Sequence, residues 1–222
     1  HSVGSSAFLG FQIYRGTAGE IILHQASYIS AILKRFNMID AKSVDAPISL
    51  TKSEEDTTPL EDTVPYREAI GSLMYAAVTT RPDIAYAVGR ASRNPTVADW
   101  TAVKRIFRYL KDKEYYGLKY SRGSGKTMVV YCDADFAGDP MTSRSTTGSV
   151  FVYGGGPIQW RSQRQPLITL SSTEAEFVSI CSTVKETVYI RKLGNELNIL
   201  DDGPSPIYCD NQSAIIIGTN EK

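Results

Sequence analysis

TMVVYCDADFAGD, residues 127–139, begins as an apolar, β-prone run and carries Asp133, Asp135 and Asp139 beyond it. Read as a strand over Thr127–Asp133, it sets Asp133 at the strand's carboxyl end, outside which ligand sites of open α/β sheets gather. The tripeptide Tyr131-Cys132-Asp133 recurs as Tyr208-Cys209-Asp210, again closing an apolar run, PIYCD at 206–210. Side chains alternate along a strand, so each Asp projects to the face opposite its Cys neighbour. If the two strands lie side by side, Asp133 and Asp210 become close neighbours. Two carboxylates that close repel one another, and a divalent cation is the usual remedy.

Between the two tripeptides, Gly148–Tyr153, Ile158–Trp160 and Leu167–Leu170 read as further strands. Residues 173–198 form a long helical pattern with Phe177, Ile180, Val184, Val188 and Leu193 turned inward, and Gln212–Ile217 starts another helix. The order β-β-β-α-β-α argues for an α/β layer around a mixed sheet. SSTEAE, residues 171–176, opens the long helix. Glu174 in its first turn is expected to face back towards the sheet end as a third acid. Three oxygen ligands without histidine or thiolate suit Mg²⁺ or Mn²⁺ rather than Zn²⁺. Such a cluster can hold two ions about 3.5–4 Å apart, one activating water and one stabilising a leaving oxygen.

Each residue also has a plainer role. Glu174 with Ser171, and Glu176 with Thr173, have capping-box spacing. Either aspartate alone suits a turn. Asp135 and Asp139 read as loop or helper positions, Cys132 and Cys209 as small packed hydrophobes, and Tyr153 and Trp160 as core or sheet-face aromatics. The ordered set of Asp, Glu and Asp on strand, helix and strand is the stronger signal.

Upstream, FLGFQIY (8–14) and EIILH (20–24) flank the turn residues RGTAG and predict a hairpin. Tyr28, Ile29, Ile32, Leu33 and Phe36 mark an amphipathic helix, and residues 42–65, with Pro47, Pro59 and Pro65, a linker. Three helical patterns come next: Tyr66 to Ala77, ended by Pro82; Asp83 to Arg93; and a third with Trp100, Val103, Phe107 and Leu110 inward. On the outer side of the third lie Lys104, Arg105, Arg108 and Lys111. Residues 101–126 hold eight basic residues against two acids, a net +6 concealed within a chain of formal charge zero. Such a segment is either a solvated helix face or a footprint for a phosphate backbone.

With 222 residues, 42% hydrophobic and 22% charged, the chain has the composition of a globular protein of one or two domains. No apolar run approaches the roughly 20 residues that span a bilayer, and HSVGSSAFLG lacks the features of a secretory signal. The first Met is Met38, so the chain reads as a piece of a longer product. Three cysteines without metal-ligand spacing suggest free thiols in a reducing, intracellular setting, cytoplasm or nucleus; two histidines leave any metal site to carboxylates.

YCDADFAGD (131–139), SRSTTG (143–148), LSSTEAE (170–176) and YCDNQSA (208–214) together resemble the RNase H domain of copia-type retrotransposon Pol polyproteins. YREAIGSLMY (66–75), TRPDIAY (80–86) and residues 100–110 resemble the segment joining reverse transcriptase to RNase H in those elements. Residues 8–13 and 22–38 look like the end of the polymerase palm and the stretch just after it. The resemblance implies three segments: 1–60, the end of the palm with a helix and linker; 61–122, a helical thumb/connection segment; and 123–222, an RNase H-like mixed sheet with flanking helices. It implies Mg²⁺-dependent endonucleolytic cleavage of RNA in RNA–DNA hybrids, with Asp133, Glu174 and Asp210 as catalytic metal ligands. The hybrid and the rest of the Pol polyprotein would be the partners, with no membrane involved. Lys104, Arg105, Arg108, Lys111, Arg161 and Arg164 are candidate phosphate contacts. The family's RNase H domain continues past this region with a further strand, acid and helix, and no YxDD-type polymerase motif occurs here. The expected activity is therefore weak at most. The alternative is a catalytically inactive remnant that binds nucleic acid or protein.

Overall fold

A computed structural model of the chain describes residues 4–49, 58–92, 95–139 and 141–220, so the middle of the expected linker, 50–57, lies outside the described residues. Two compact units divide the chain, His1–Lys119 and Tyr120–Lys222.

In the first unit, strands β1 (Gly4–Phe8), β2 (Phe11–Arg15) and β3 (Ile21–His24) run as an antiparallel meander. The run 8–14 is thus divided, not one strand. Leu9 and Gly10 both take positive φ, 44° and 84°, which is the two-residue turn that matches strand twist. A fourth strand that the sequence does not announce, β4 (Gly117–Tyr120), pairs beside β3. It starts at Gly117 because a Cβ there would lie 2.1 Å from the carbonyl oxygen of Leu23.

Helix α1 (Ala26–Arg35) buries Ile29, Ile32 and Leu33, as their spacing predicts. Helix α2 (Tyr66–Thr79), a 3-10 turn (Pro82–Ile84), α3 (Ala85–Ala91) and α4 (Val97–Leu110) come after it, α4 opening on a capping box between Thr96 and Asp99. One core joins them: Ile29 and Leu33 pack with Leu73, Ile84, Val88, Phe107 and Leu110. Each such side chain contributes about 1.5–3 kcal/mol by leaving water. It draws on both of the expected segments 1–60 and 61–122.

Within this unit Arg81 is only 1% exposed. Its Nη2 donates to Asp83 Oδ2 at 2.7 Å and its Nη1 to the Lys113 carbonyl at 2.9 Å. Tyr109 completes the network by donating its hydroxyl to the same Asp83 oxygen.

In the second unit, β5 (Val129–Asp135), β6 (Thr146–Tyr153) and β7 (Gly156–Arg164) are antiparallel neighbours, and β8 (Ile207–Tyr208) joins β5 in parallel, giving the order β7-β6-β5-β8. The fold class is mixed α/β. Leu167–Leu170 forms no strand, contrary to expectation. None of the described strands pairs with it, and the Leu170 N–H is instead taken by the Glu174 carboxylate at 2.7 Å.

Helix α5 (Ser172–Glu196) packs on β5 and β6, but not by the expected face. Ala175, Glu176, Ser179, Thr183, Thr187, Ile190 and Gly194 are turned inward, while Val184, Val188 and Leu193 are exposed, Val188 at 65%. Phe177 and Ile180, on the flank between, are half-buried. Small residues let the helix axis approach the sheet, and Ser179 satisfies its hydroxyl on the Asp133 carbonyl at 2.8 Å. Helix α6 (Gln212–Thr219) packs on α5.

Candidate metal centre

The pairing of β5 with β8 aligns Val130 with Ile207 and Tyr131 with Tyr208, whose rings stack at 5.4 Å. The two tripeptides are in register at their tyrosines; the expected strand 206–210 ends at Tyr208, and Asp210, two residues beyond it, comes with Asp133 of β5 to the surroundings of Glu176. Alternation along β5 buries Cys132 and exposes Tyr131 and Asp133, as expected. Cys132 Sγ lies 3.6 Å from the Tyr208 carbonyl, across the pair.

The acid that α5 brings to this end is Glu176. Its Oε1 accepts the Ala134 N–H at 3.2 Å, and its Oε2 lies 3.7 Å from Cys209 Sγ. One ligand atom each from Glu176, Cys209 and Asp210 lie within 4.8 Å of one another. Only 6% of the Glu176 residue is exposed. Burial pushes its carboxyl up to about 7, with the neighbouring charges of Asp133 and Asp210 adding to the rise against the opposing Ala134 N–H. A buried carboxyl between two others is the environment that a divalent cation relieves. The carboxylates of Glu176, Asp210 and Asp133 therefore fit a hard cation such as Mg²⁺.

Glu174 stands outside this group. It is exposed, its N–H is capped by Ser171 Oγ at 3.1 Å, and its carboxylate holds Leu170. The expected capping box with Ser171 is thus half formed: Ser171 caps Glu174, but the Glu174 carboxylate takes the Leu170 N–H and not that of Ser171. Helical geometry separates the two glutamates by about 200° around the axis, so one faces the sheet and the other cannot. The sequence held a competing signal. Glu176 shares its face with Ser179 and Thr183, the small residues that close packing requires.

Burial also pushes the Cys132 thiol up to about 12, helped by Cys209, and raises the Cys209 thiol. All three cysteines are free thiols. Asp139 is buried and pairs with Arg164 at 2.7 Å, and Arg161 pairs with Glu186 at 3.3 Å. On α4, Arg105, Arg108 and Lys111 donate to the carbonyls of Ala46, Lys42 and Ala41. The basic face thus fastens the segment 41–46 to the helix. Lys104 lies half-buried on the same helix. Among the described residues no helix is long and apolar enough to cross a membrane.

No family model matches the chain, and no solved structure matches it. Its similarity to curated proteins is extensive. Over 96% of its length it is 42% identical to the retrovirus-related Pol polyprotein from transposon TNT 1-94 of Nicotiana tabacum, 17% of which it covers. Over the same share it is 40% identical to the corresponding polyprotein from transposon RE1 of Arabidopsis thaliana, covering 15%. The chain thus spans about a sixth of the length of these relatives. A shorter relative, an uncharacterised mitochondrial protein of Arabidopsis thaliana, is 36% identical over 82% of this chain and 77% of its own length. With Pol relatives matched over 96% of the chain, and a short relative matched over most of its own length, the chain is homologous to a segment of the retrovirus-related Pol polyproteins from copia-type transposons.

Proposed function

We propose that the second unit is an RNase H-like nuclease segment of a Pol product, cutting the RNA strand of RNA–DNA hybrids, and that its metal-binding carboxylates are Asp133, Glu176 and Asp210. The observation that carries this is the meeting of Glu176 with Asp210 and Asp133 at the carboxyl end of a parallel strand pair. A three-strand antiparallel meander, a long helix and a parallel fourth strand beside the first support the same reading. Bound Mg²⁺ or Mn²⁺, two ions in the reading from sequence, would supply the Lewis acidity that activates water and stabilises the leaving oxygen.

The chain's own residues prepare that site. Ala134 N–H orients the Glu176 carboxylate, and Ser179 holds the strand carrying Asp133 against α5. Ser171 caps the helix that delivers Glu176. The hybrid would be gripped through its phosphates and 2′-hydroxyls. Arg161 and Arg164 support that role by charge, each keeping part of its surface open beside its acidic partner. The rest of the Pol polyprotein is the natural partner, with the first unit as its connection to the polymerase.

The test is cleavage of a labelled hybrid in Mg²⁺. Asp133→Asn, Glu176→Gln and Asp210→Asn are each expected to lose at least about a hundredfold in rate, because each removes a metal ligand. Glu174→Gln, which touches only the helix cap, should stay within a few-fold. The reverse pattern for the two glutamates would overturn the assignment, and so would equal cleavage with and without a chelator. The same experiment separates the alternative, a non-catalytic remnant that binds nucleic acid or protein. Hybrid binding without turnover in Mg²⁺ is its signature.

A further inference from the structure

The centre differs from a purely carboxylate site in one respect: it contains sulfur. Cys209 Sγ sits 3.7 Å from Glu176 Oε2 and belongs to the group of three ligand atoms with Glu176 and Asp210. The sequence by itself disfavours zinc because no thiol is counted among the ligands; the fold brings one in. Mg²⁺ avoids sulfur, whereas Zn²⁺ takes thiolate and carboxylate together.

We infer that Glu176, Cys209 and Asp210 form a Zn²⁺ site that overlaps the Mg²⁺ position, so that zinc occupies the centre at the expense of magnesium. The ion site stands on the geometry alone; its inhibitory consequence rests on the nuclease reading. A tetrahedral zinc with bonds of about 2.0–2.3 Å spans about 3.3–3.8 Å between ligands, so the 4.8 Å group must contract. Asp210 is exposed and can make that adjustment, whereas Glu176 is anchored by Ala134. Binding breaks the Cys209 S–H bond and forms a Zn–S bond, the proton leaving to solvent. One thiolate and two carboxylates then face a 2+ ion, and water takes the fourth position. For the buried Glu176, zinc replaces a thiol contact 3.7 Å long by a direct bond. Cys132 is turned to the Tyr208 carbonyl and lies outside the group.

Co²⁺, which takes the same ligands and reports on them by colour, is the probe. Titrated into the whole chain, it is expected to produce a thiolate-to-metal charge-transfer band that Zn²⁺ displaces stoichiometrically. The band should vanish in Cys209→Ser and persist in Cys132→Ser and Cys181→Ser, with circular dichroism verifying that each variant is folded. In hybrid cleavage, the zinc concentration that halves each protein's own zinc-free rate should rise at least about tenfold in Cys209→Ser. Absence of the band in the folded wild-type chain, or its survival in Cys209→Ser, overturns the zinc site whatever the nuclease does. A cysteine-dependent band with no cleavage in Mg²⁺ upholds the site and overturns the nuclease reading instead. Cleavage whose zinc sensitivity is unaltered in Cys209→Ser removes the inhibitory role.

Discussion

Two glutamates two positions apart illustrate how much a single residue's angular position decides. Glu174 closes a helix end in water, and Glu176 is buried among other acids. The consequence is measurable as pH-dependent stability. The carboxyl of Glu176 moves from an ordinary value of 4.5 to about 7 in the folded chain. Between those values the folded state holds a proton that the unfolded state has lost, so stability falls as pH rises from about 4.5 to 7 and levels off above. Thermal melts of the metal-free chain should show that fall. Glu176→Gln should flatten it, and millimolar Mg²⁺ should reverse it by favouring the ionised form. A wild-type melt indifferent to pH across this window would contradict the burial. Arg81 makes a second residue-scale case. Arg81→Leu leaves Asp83 only the Tyr109 hydroxyl and the Lys113 carbonyl only the Tyr116 N–H, and should cost about 1–3 kcal/mol in urea unfolding.

At the scale of elements, α5 shows where the sequence is ambiguous. Phe177, Ile180, Val184 and Val188 recur at helical spacing and suggest a buried stripe, yet Ser179, Thr183 and Thr187 recur as regularly. Hydrophobicity favours the first stripe. Close approach of helix to sheet favours the second, because bulky side chains would hold the axis away, and approach wins. Two substitutions separate these faces. Val188→Lys should change stability by no more than about 0.5 kcal/mol, as at an ordinary surface position, whereas Thr187→Lys buries a charge and should cost several times that. Chemical denaturation measures both. Elsewhere the legible elements were those whose signals were local. The amphipathic faces of α1 and α4, the turn at RGTAG and the strands around 131 and 208 all carry their own residues' instructions. The strand β4 did not, since its pairing with β3 is set by a distant partner and by the room that Gly117 leaves. Leu167–Leu170 looked like a strand for the complementary reason: its composition was right, but no strand lay beside it.

At the scale of the molecule, the neutral total charge hides a basic helix whose cations are partly committed. Arg105 and Arg108 donate to the carbonyls of Ala46 and Lys42, so the segment 41–46 rides on α4 instead of hanging as a linker. Arg105→Gln with Arg108→Gln is therefore expected to speed proteolytic nicking within 41–46, read by mass spectrometry of the first fragments. An unaltered nicking rate would mean that these bonds do not hold the segment. The parallel pairing of β5 with β8 bears on how the chain is made. Cys132 and its partner Tyr208 are 76 residues apart. At about 5–20 residues per second, a ribosome delivers the second strand about 4–15 s after the first. Through that interval β5 has emerged with one edge bare and its aspartate waiting. A centre that needs Asp210 is therefore incomplete until the second tripeptide has been translated.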